Sequence, residues 1–385
     1  MKPIGRALAM NRRQHLIGMA GGLFMGALPS TAWAEDAGAE NTGPDAPLRD
    51  LASAKGILFG SAINAGNASP MSDAGYRAIV TRECAVLVPE NEMKVYVIGG
   101  DAQHPNFAPA DRIAKFARGH HMKLRGHTLL WNHPKYIAPA LAEQVRATGP
   151  EKWLRAYIAR VAGHFGDQIY SWDVVNETID PKTGEMRDTV FTQTLGFDAL
   201  RIAYDAAREH APHAQRVYND FMSWEMGNET HRAGVLRLLE RFRREKVPVD
   251  ALGIQSHLGN DGSHSRAQRA EWQRFLDAVV AMGYRLLITE FDINDREMPR
   301  DIAKRDAQAA AVARDYLDRM FAYPQLDQFL CWGLWDKHSW LQGFAPRPDG
   351  AEQRPLPYDD DLHPKPLRTA IADALRAAPV RKGIA

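Results

Sequence analysis

The sequence predicts an α/β protein built as a single (β/α)8 barrel, on three observations. Eight short apolar runs of strand type alternate with longer helical patterns, which implies βαβ units and a parallel sheet. A length of 385 residues suits closure of eight such units. No GxGxxG follows the first strand and no GxxxxGKS or GxxxxGKT occurs, which argues against an open doubly wound nucleotide-binding sheet.

The strands are expected near Ile57–Ile63, Ala85–Pro89, Lys123–Leu129, Ile169–Val175, Arg216–Asn219, Ala251–Gln255, Leu286–Thr289 and Gln328–Trp332. Amphipathic stretches between them predict helices over Glu151–Phe165, Phe197–His210, Glu229–Glu245, Arg266–Met282 and Ile302–Phe321. In Glu229–Glu245, for example, Val235, Leu236, Leu239 and Phe242 recur at helical spacing. No internal repeat or linker divides the chain.

Composition excludes several classes. With 45% hydrophobic and 25% charged residues the chain can bury a full core, which rules out a disordered or collagen-like protein. A formal charge of +1 offers no global attraction for nucleic acid or anionic membrane. That charge is unevenly spread. Residues 1–34 carry Lys2, Arg6, Arg12 and Arg13 and no acid, leaving 44 bases against 47 acids elsewhere. The same segment holds an apolar stretch, Leu16–Leu28, and ends in Ala32-Trp33-Ala34, a small-x-small cleavage pattern. Residues 1–34 are therefore expected to be a signal peptide. Asn11-Arg12-Arg13-Gln14-His15-Leu16 resembles a twin-arginine signal, with a periplasmic or secreted mature protein that does not stay at the membrane. Residues 35–50 read as a flexible lead-in and 51–378 as the barrel, expected to be a monomer. The two cysteines, Cys84 and Cys331, lie in apolar runs and read as buried thiols. Without CxxC, HExxH or paired Cys/His spacing, neither a metal nor a cofactor is expected.

A barrel gathers its chemistry at the C-terminal strand ends, and those ends carry unusual residues. They include Glu90-Asn91-Glu92-Met93-Lys94, His127 with Trp131, Asn176-Glu177, Asn219-Asp220, Gln255-Ser256-His257, Glu290 with Asp292, and Trp332 through Trp340. Each has a bland reading as a loop or core residue. Together they offer carboxylates, amides, imidazoles and indoles toward one face, and buried polar groups must pair with one another or with a ligand. The mixture suits sugar chemistry: one carboxyl protonates a glycosidic oxygen while another meets the charge developing on the ring. Amides and imidazoles bind hydroxyls, and indole faces cover the C–H faces of sugars.

These motifs resemble glycoside hydrolase family 10, the barrel-type endo-1,4-β-xylanases. The resemblance runs from about Leu58 to Leu375 through Pro89-Glu90-Asn91-Glu92-Met93-Lys94, Arg125–Trp131, Trp172–Glu177, Tyr218-Asn219-Asp220, Gly253–His257, Ile288–Ile293 and Trp332–Trp340. It implies that Glu177 is the general acid/base and Glu290 the nucleophile of a retaining pair, whose carboxyls stand about 5–5.5 Å apart. It further implies that His257 and Asp292 orient the nucleophile and that Asn176 binds the 2-hydroxyl at the cleavage point. Glu90, Asn91, Lys94, His127, Trp131, Gln255, Trp332 and Trp340 would line the sugar sites of a xylan or xylo-oligosaccharide substrate. The chain departs from the family pattern at Asn132-His133-Pro134, at Phe221 and at Trp335, which places the hydrogen bonding around the first sugars in question. Two rivals remain: a related retaining enzyme acting on a β-1,4-glucan, and a sugar-binding protein that catalyses nothing.

Overall fold

The computed structural model describes residues 43–381 apart from 44, 67, 68, 100–103 and 260–264. The expected signal peptide and residues 35–42 of the expected lead-in lie outside the described residues.

Eight parallel strands close into a barrel: β1 (Leu58–Ile63), β2 (Val86–Pro89), β3 (Lys123–Trp131), β4 (Ile169–Asn176), β5 (Gln215–Asp220), β6 (Ala251–Ile254), β7 (Arg285–Ile293) and β8 (Leu326–Cys331). Each pairs with its successor, and β8 returns to β1 through Leu58↔Gln328 to Ser61↔Cys331. The expected strands all form. Four run past their expected C-terminal ends, β4 and β5 by one residue and β3 and β7 by more, because the ladder continues past the point where side chains turn polar. β7 reaches Ile293, where the two-residue strand His257–Leu258 pairs with Asp292 and Ile293. β3 reaches Trp131, opposite Asn176.

The helices follow the apolar spacing. Helix Glu229–Arg244 buries Val235, Leu238, Leu239 and Phe242, while Leu236 is only partly covered. Helix Arg266–Ala281 starts on a capping box in which Ser265 and Gln268 exchange hydrogen bonds with each other's backbone. At the bottom of the barrel Tyr170 donates to Gln328 at 2.7 Å, and the Gln328 amide donates to Gln215 at 2.7 Å, so the buried floor is polar yet satisfied. Cys84 and Cys331 are free and buried.

The barrel is larger than its expected bounds. Residues 46–50 were assigned to the flexible lead-in, but Ala46 and Leu48 are buried and helix Leu48–Ser53 begins there. The anchor is Glu83, wholly buried, whose carboxylate accepts from the Leu48 backbone N–H at 2.7 Å, the Tyr358 hydroxyl at 2.7 Å and the Arg368 guanidinium at 3.0 Å. At the other end Arg381 carries the fold past residue 378: its backbone N–H donates to Lys55 at 3.1 Å and its guanidinium to the carbonyl of Phe321 at 3.1 Å.

Removing the carboxylate should therefore loosen both ends of the chain together. Glu83→Ala leaves the buried Arg368 charge uncompensated and should cost about 3–5 kcal/mol. Urea unfolding followed by circular dichroism checks this; a midpoint within error of wild type contradicts it.

Candidate active site

At the C-terminal mouth of the barrel the polar residues form one connected set. Glu177 follows β4 with φ +54°, in the left-handed region that ordinary residues rarely occupy, and Ser256 after β6 does the same with φ +63°. These two turns bring Glu177 against Gln255. Gln255 Nε2 donates to Glu177 Oε1 at 2.9 Å, and Trp131 Nε1 donates to Oε2 at 2.9 Å. Arg187 donates from Nε to the Glu177 carbonyl at 2.9 Å, which holds its backbone.

Glu290, on β7, sits across from it. Its Oε1 accepts from Asn219 Nδ2 at 2.7 Å, and its Oε2 meets His257 Nε2 at 3.3 Å. The other imidazole nitrogen faces Asp292 Oδ1 at 3.0 Å, while Asp292 Oδ2 accepts from Trp340 Nε1 at 2.7 Å. The two carboxyls are linked through amides. Asn219 Nδ2 also lies 2.9 Å from Asn176 Oδ1, and Gln255 Nε2 lies 3.4 Å from that same oxygen. With the Asn176 amide turned over, its nitrogen would meet the Asn219 carbonyl at 3.3 Å and its oxygen Trp131 Nε1 at 3.3 Å, but that nitrogen would also stand 2.9 Å from Asn219 Nδ2, a second donor.

The surroundings push the two acids in opposite directions. Burial raises the pKa of Glu177, the hydrogen bonds from Gln255 and Trp131 only partly offset this, and Asp220 and Glu290 add repulsion. Burial would raise Glu290 as well, but the His257 hydrogen bond and the positive character of His127, His257 and Lys94 outweigh it and pull it down to about 2. Burial disfavours charge on His257, yet Asp292 and then Glu290 overcome that and push its pKa up to about 10. The pair Asp292–His257 therefore presents a fixed imidazolium to Glu290.

On the other side of the mouth, β2 ends in a group held from below. Asn64 donates to Glu90 Oε2 at 3.1 Å, and Glu92 accepts from the backbone of Ala65 at 2.6 Å and of Asn91 at 3.1 Å. Asn91 Oδ1 accepts from the Tyr96 hydroxyl at 2.6 Å. The Lys94 ammonium stands 4.4 Å from the Trp131 ring centroid and 5.8 Å from that of Trp332. Burial lowers its pKa, against the pull of Glu290, Glu177, Glu90 and Glu92. His127 packs edge-on to Trp332 with centroids 5.5 Å apart and bonds Asp173 Oδ2 through Nδ1 at 2.8 Å.

The structure thus brings all thirteen residues singled out in the sequence to one mouth. It adds several that sequence reasoning passed over. Asn219, part of a strand-end motif, touches Glu290 directly: an ionised carboxylate only accepts, so the amide presents its Nδ2 to Glu290 and its oxygen is left to accept from Thr289 at 2.7 Å. Gly253 makes room for it, since a Cβ there would lie 2.4 Å from Asn219 Oδ1. Asp173 is clamped by both Arg125 and His127. A buried Arg two residues before a strand-end His, with an Asp inside the next strand, was the available signal. Of the departures, Asn132 is buried and bridges Thr178 and Thr189 at 2.6 Å each, and Trp335 stacks under Tyr76 with centroids 5.5 Å apart. Both of these side chains are taken up in packing. Phe221 lies 4.7 Å from the His231 ring.

The described geometry agrees with what known proteins resemble it. The model of the family described as "Glycosyl hydrolase family 10" matches residues 47–374. Endo-1,4-beta-xylanase 5 of Pyricularia oryzae is 34% identical over 343 residues, covering 86% of this chain and 79% of that one. Endo-1,4-beta-xylanase B of Thermotoga neapolitana is 28% identical over 344 residues, 86% and 92% of the two chains. Among solved structures, native xylanase 10B from Thermotoga maritima superposes with a TM-score of 0.74 at 28% identity, over 86% of this chain and 98% of its own. Xylanase 10B from Thermotoga petrophila RKU-1 in complex with xylobiose gives 0.75 at 27%, over 86% and 97%. A family match across most of the barrel, on top of a mouth assembled in this way, leaves one conclusion: this chain belongs to glycosyl hydrolase family 10.

Proposed function

We propose that the protein is a retaining endo-1,4-β-xylanase, with Glu290 as nucleophile and Glu177 as general acid/base. The observation that carries the reading is the placing of two carboxyls at one mouth, joined by a short run of amides: Glu290 lies against Asn219 and His257, which lower its pKa, while Glu177 takes hydrogen bonds from neutral Gln255 and Trp131 and burial raises its pKa. The substrate class rests on the family, on relatives named as endo-1,4-beta-xylanases, and on the similar xylanase 10B structure in complex with xylobiose.

In the first step a Glu290 oxygen bonds the anomeric carbon as the glycosidic C–O bond breaks; the departing oxygen keeps that electron pair and takes the Glu177 proton. Glu290, now an ester, no longer repels charge on Glu177. The Glu177 carboxylate then removes a proton from water, whose oxygen bonds the anomeric carbon and releases Glu290. His257 and Asp292 act on the nucleophile as a fixed positive partner. Glu90, Asn91, Lys94, His127, Asn176, Gln255, Trp332 and Trp340 serve as sugar-binding residues around the cut, and Trp131 serves through its bond to Glu177. We propose further that residues 1–34 export the protein and that it acts as a monomer. Supporting the first is the basic, acid-free segment with its apolar stretch. Amino-terminal sequencing of the exported form checks it: the first residue should be Glu35.

Incubation with glucuronoxylan, linear xylo-oligosaccharides and a soluble β-1,4-glucan should release short xylo-oligosaccharides from the polymer and leave the glucan intact. Glucan cleavage without xylan cleavage overturns the substrate. In the same assay Glu290→Ala should lose activity by at least about four orders of magnitude, and Glu177→Ala by about 10²–10⁴-fold.

The pH profile should be broad on the acid side and limited on the basic side by Glu177. A hydrogen bond donated to a carboxylate favours its charged form, so removing one raises the pKa. Trp131→Phe should therefore move the basic limb of kcat/KM to higher pH, and His257→Ala should move the acid limb up from its low value. A basic limb that stays put in Trp131→Phe counts against Glu177 as its origin.

A further inference from the structure

The segment Asn132–Tyr136, which begins with the departure Asn132-His133-Pro134 from the family pattern, builds a support beneath Glu177. The Tyr136 ring stacks on Trp131 with centroids 3.8 Å apart and planes 21° from parallel. Trp131 in turn donates its indole N–H to Glu177 Oε2 at 2.9 Å. An indole N–H points in the plane of its ring, so whatever fixes the plane also fixes the aim of the bond.

The turn that carries Tyr136 is itself anchored to the loop that leaves Glu177. Asn132 reaches Thr178 and Thr189 at 2.6 Å each, both on that loop. His133 Nδ1 accepts from the Lys135 backbone N–H at 3.2 Å and starts the short turn Pro134–Tyr136. Phenol, indole and carboxyl are thus carried on two chain segments bolted together. Tyr136 is poorly placed to serve as a sugar platform: besides the indole it has the His133 ring 5.1 Å away and the Lys135 ammonium 5.4 Å from its centroid.

We propose that Tyr136 is a positioning residue for proton delivery, acting on Glu177 through Trp131. This rests on the reading of Glu177 as the general acid. When the glycosidic C–O bond breaks, its electron pair stays on the departing oxygen, which takes the Glu177 proton while a Glu290 oxygen bonds the anomeric carbon. A sugar alkoxide needs that proton; a dinitrophenolate does not. Loosening the stack should therefore harm only substrates whose leaving group must be protonated.

The test compares kcat/KM, which reports this first step, on xylotriose and on 2,4-dinitrophenyl β-xylobioside for the full mature chain. Tyr136→Leu keeps bulk but loses the stack, and should lose about tenfold or more on xylotriose, part of the about 10²–10⁴-fold a general acid supplies. On the dinitrophenyl substrate it should stay close to wild type, and Tyr136→Phe, which keeps the stack, should match wild type on both. Equal losses on the two substrates, no loss with Leu, or a Phe variant as impaired as Leu each overturn the proposal. Glu177→Ala run alongside separates the layers. If it lacks the split between substrates, the acid assignment falls and the proposal with it. If it shows the split and Tyr136→Leu does not, only the role of Tyr136 falls.

Discussion

The site depends on keeping Glu290 charged where burial would neutralise it. A buried carboxylate survives only if fixed donors and positive charge replace the water it has lost. Here Asn219 gives one hydrogen bond and His257 faces the other oxygen, with Asp292 holding the imidazolium in place. Much of the architecture follows from supplying those partners. Thr289 orients Asn219, Gly253 leaves the space it occupies, and Trp340 steadies Asp292. Lys94 adds a cation although burial works against its charge.

The same surroundings would defeat catalysis if they ionised both acids. Glu177 differs because its side chain takes hydrogen bonds from neutral donors and, among the described residues, forms no ion pair, so burial prevails and its pKa is raised. The difference lies in which strand end each residue occupies. Glu290 lies within β7, beside the His257–Leu258 strand that delivers the imidazole. Glu177 sits one residue past β4 on a left-handed turn, facing neutral amide and indole groups. A (β/α)8 barrel makes such a division easy, since each strand end can be furnished by its own loop while the sheet keeps all of them in register.

The departures from the family pattern show how chemistry is read differently from position. Asn132 follows a strand-end Trp, at a departure that puts hydrogen bonding around the first sugars in question. It turns inward and satisfies two threonine hydroxyls. Trp335, another departure, stacks on Tyr76 and donates to the Asp360 carbonyl at 3.1 Å. Whether a residue next to a strand end faces the mouth or the packing layer is set by the path of the loop, which no local pattern encodes. Residues 46–50 mislead in the other direction. Their composition suggests a loose tether, but a buried Glu83 elsewhere in the chain gathers them in.

Periodicity was enough to read the barrel, its eight strands and the bounds of the five expected helices, because these depend on side-chain type at regular spacing; the strand ends showed where polar chemistry gathers, and the thirteen site residues among them follow from the family resemblance. The two carboxyls stand apart from the other strand-end acids, Glu90 and Glu92, only through that resemblance. Only the tertiary structure gives the two acids different surroundings, through partners drawn from β5, the residues after β6, β7 and the loop after β8. It also decided that Asn219 is a direct partner of Glu290 and that Tyr136 lies under Trp131. Those facts are distances between residues far apart in the chain, and the closure of the sheet brings them together.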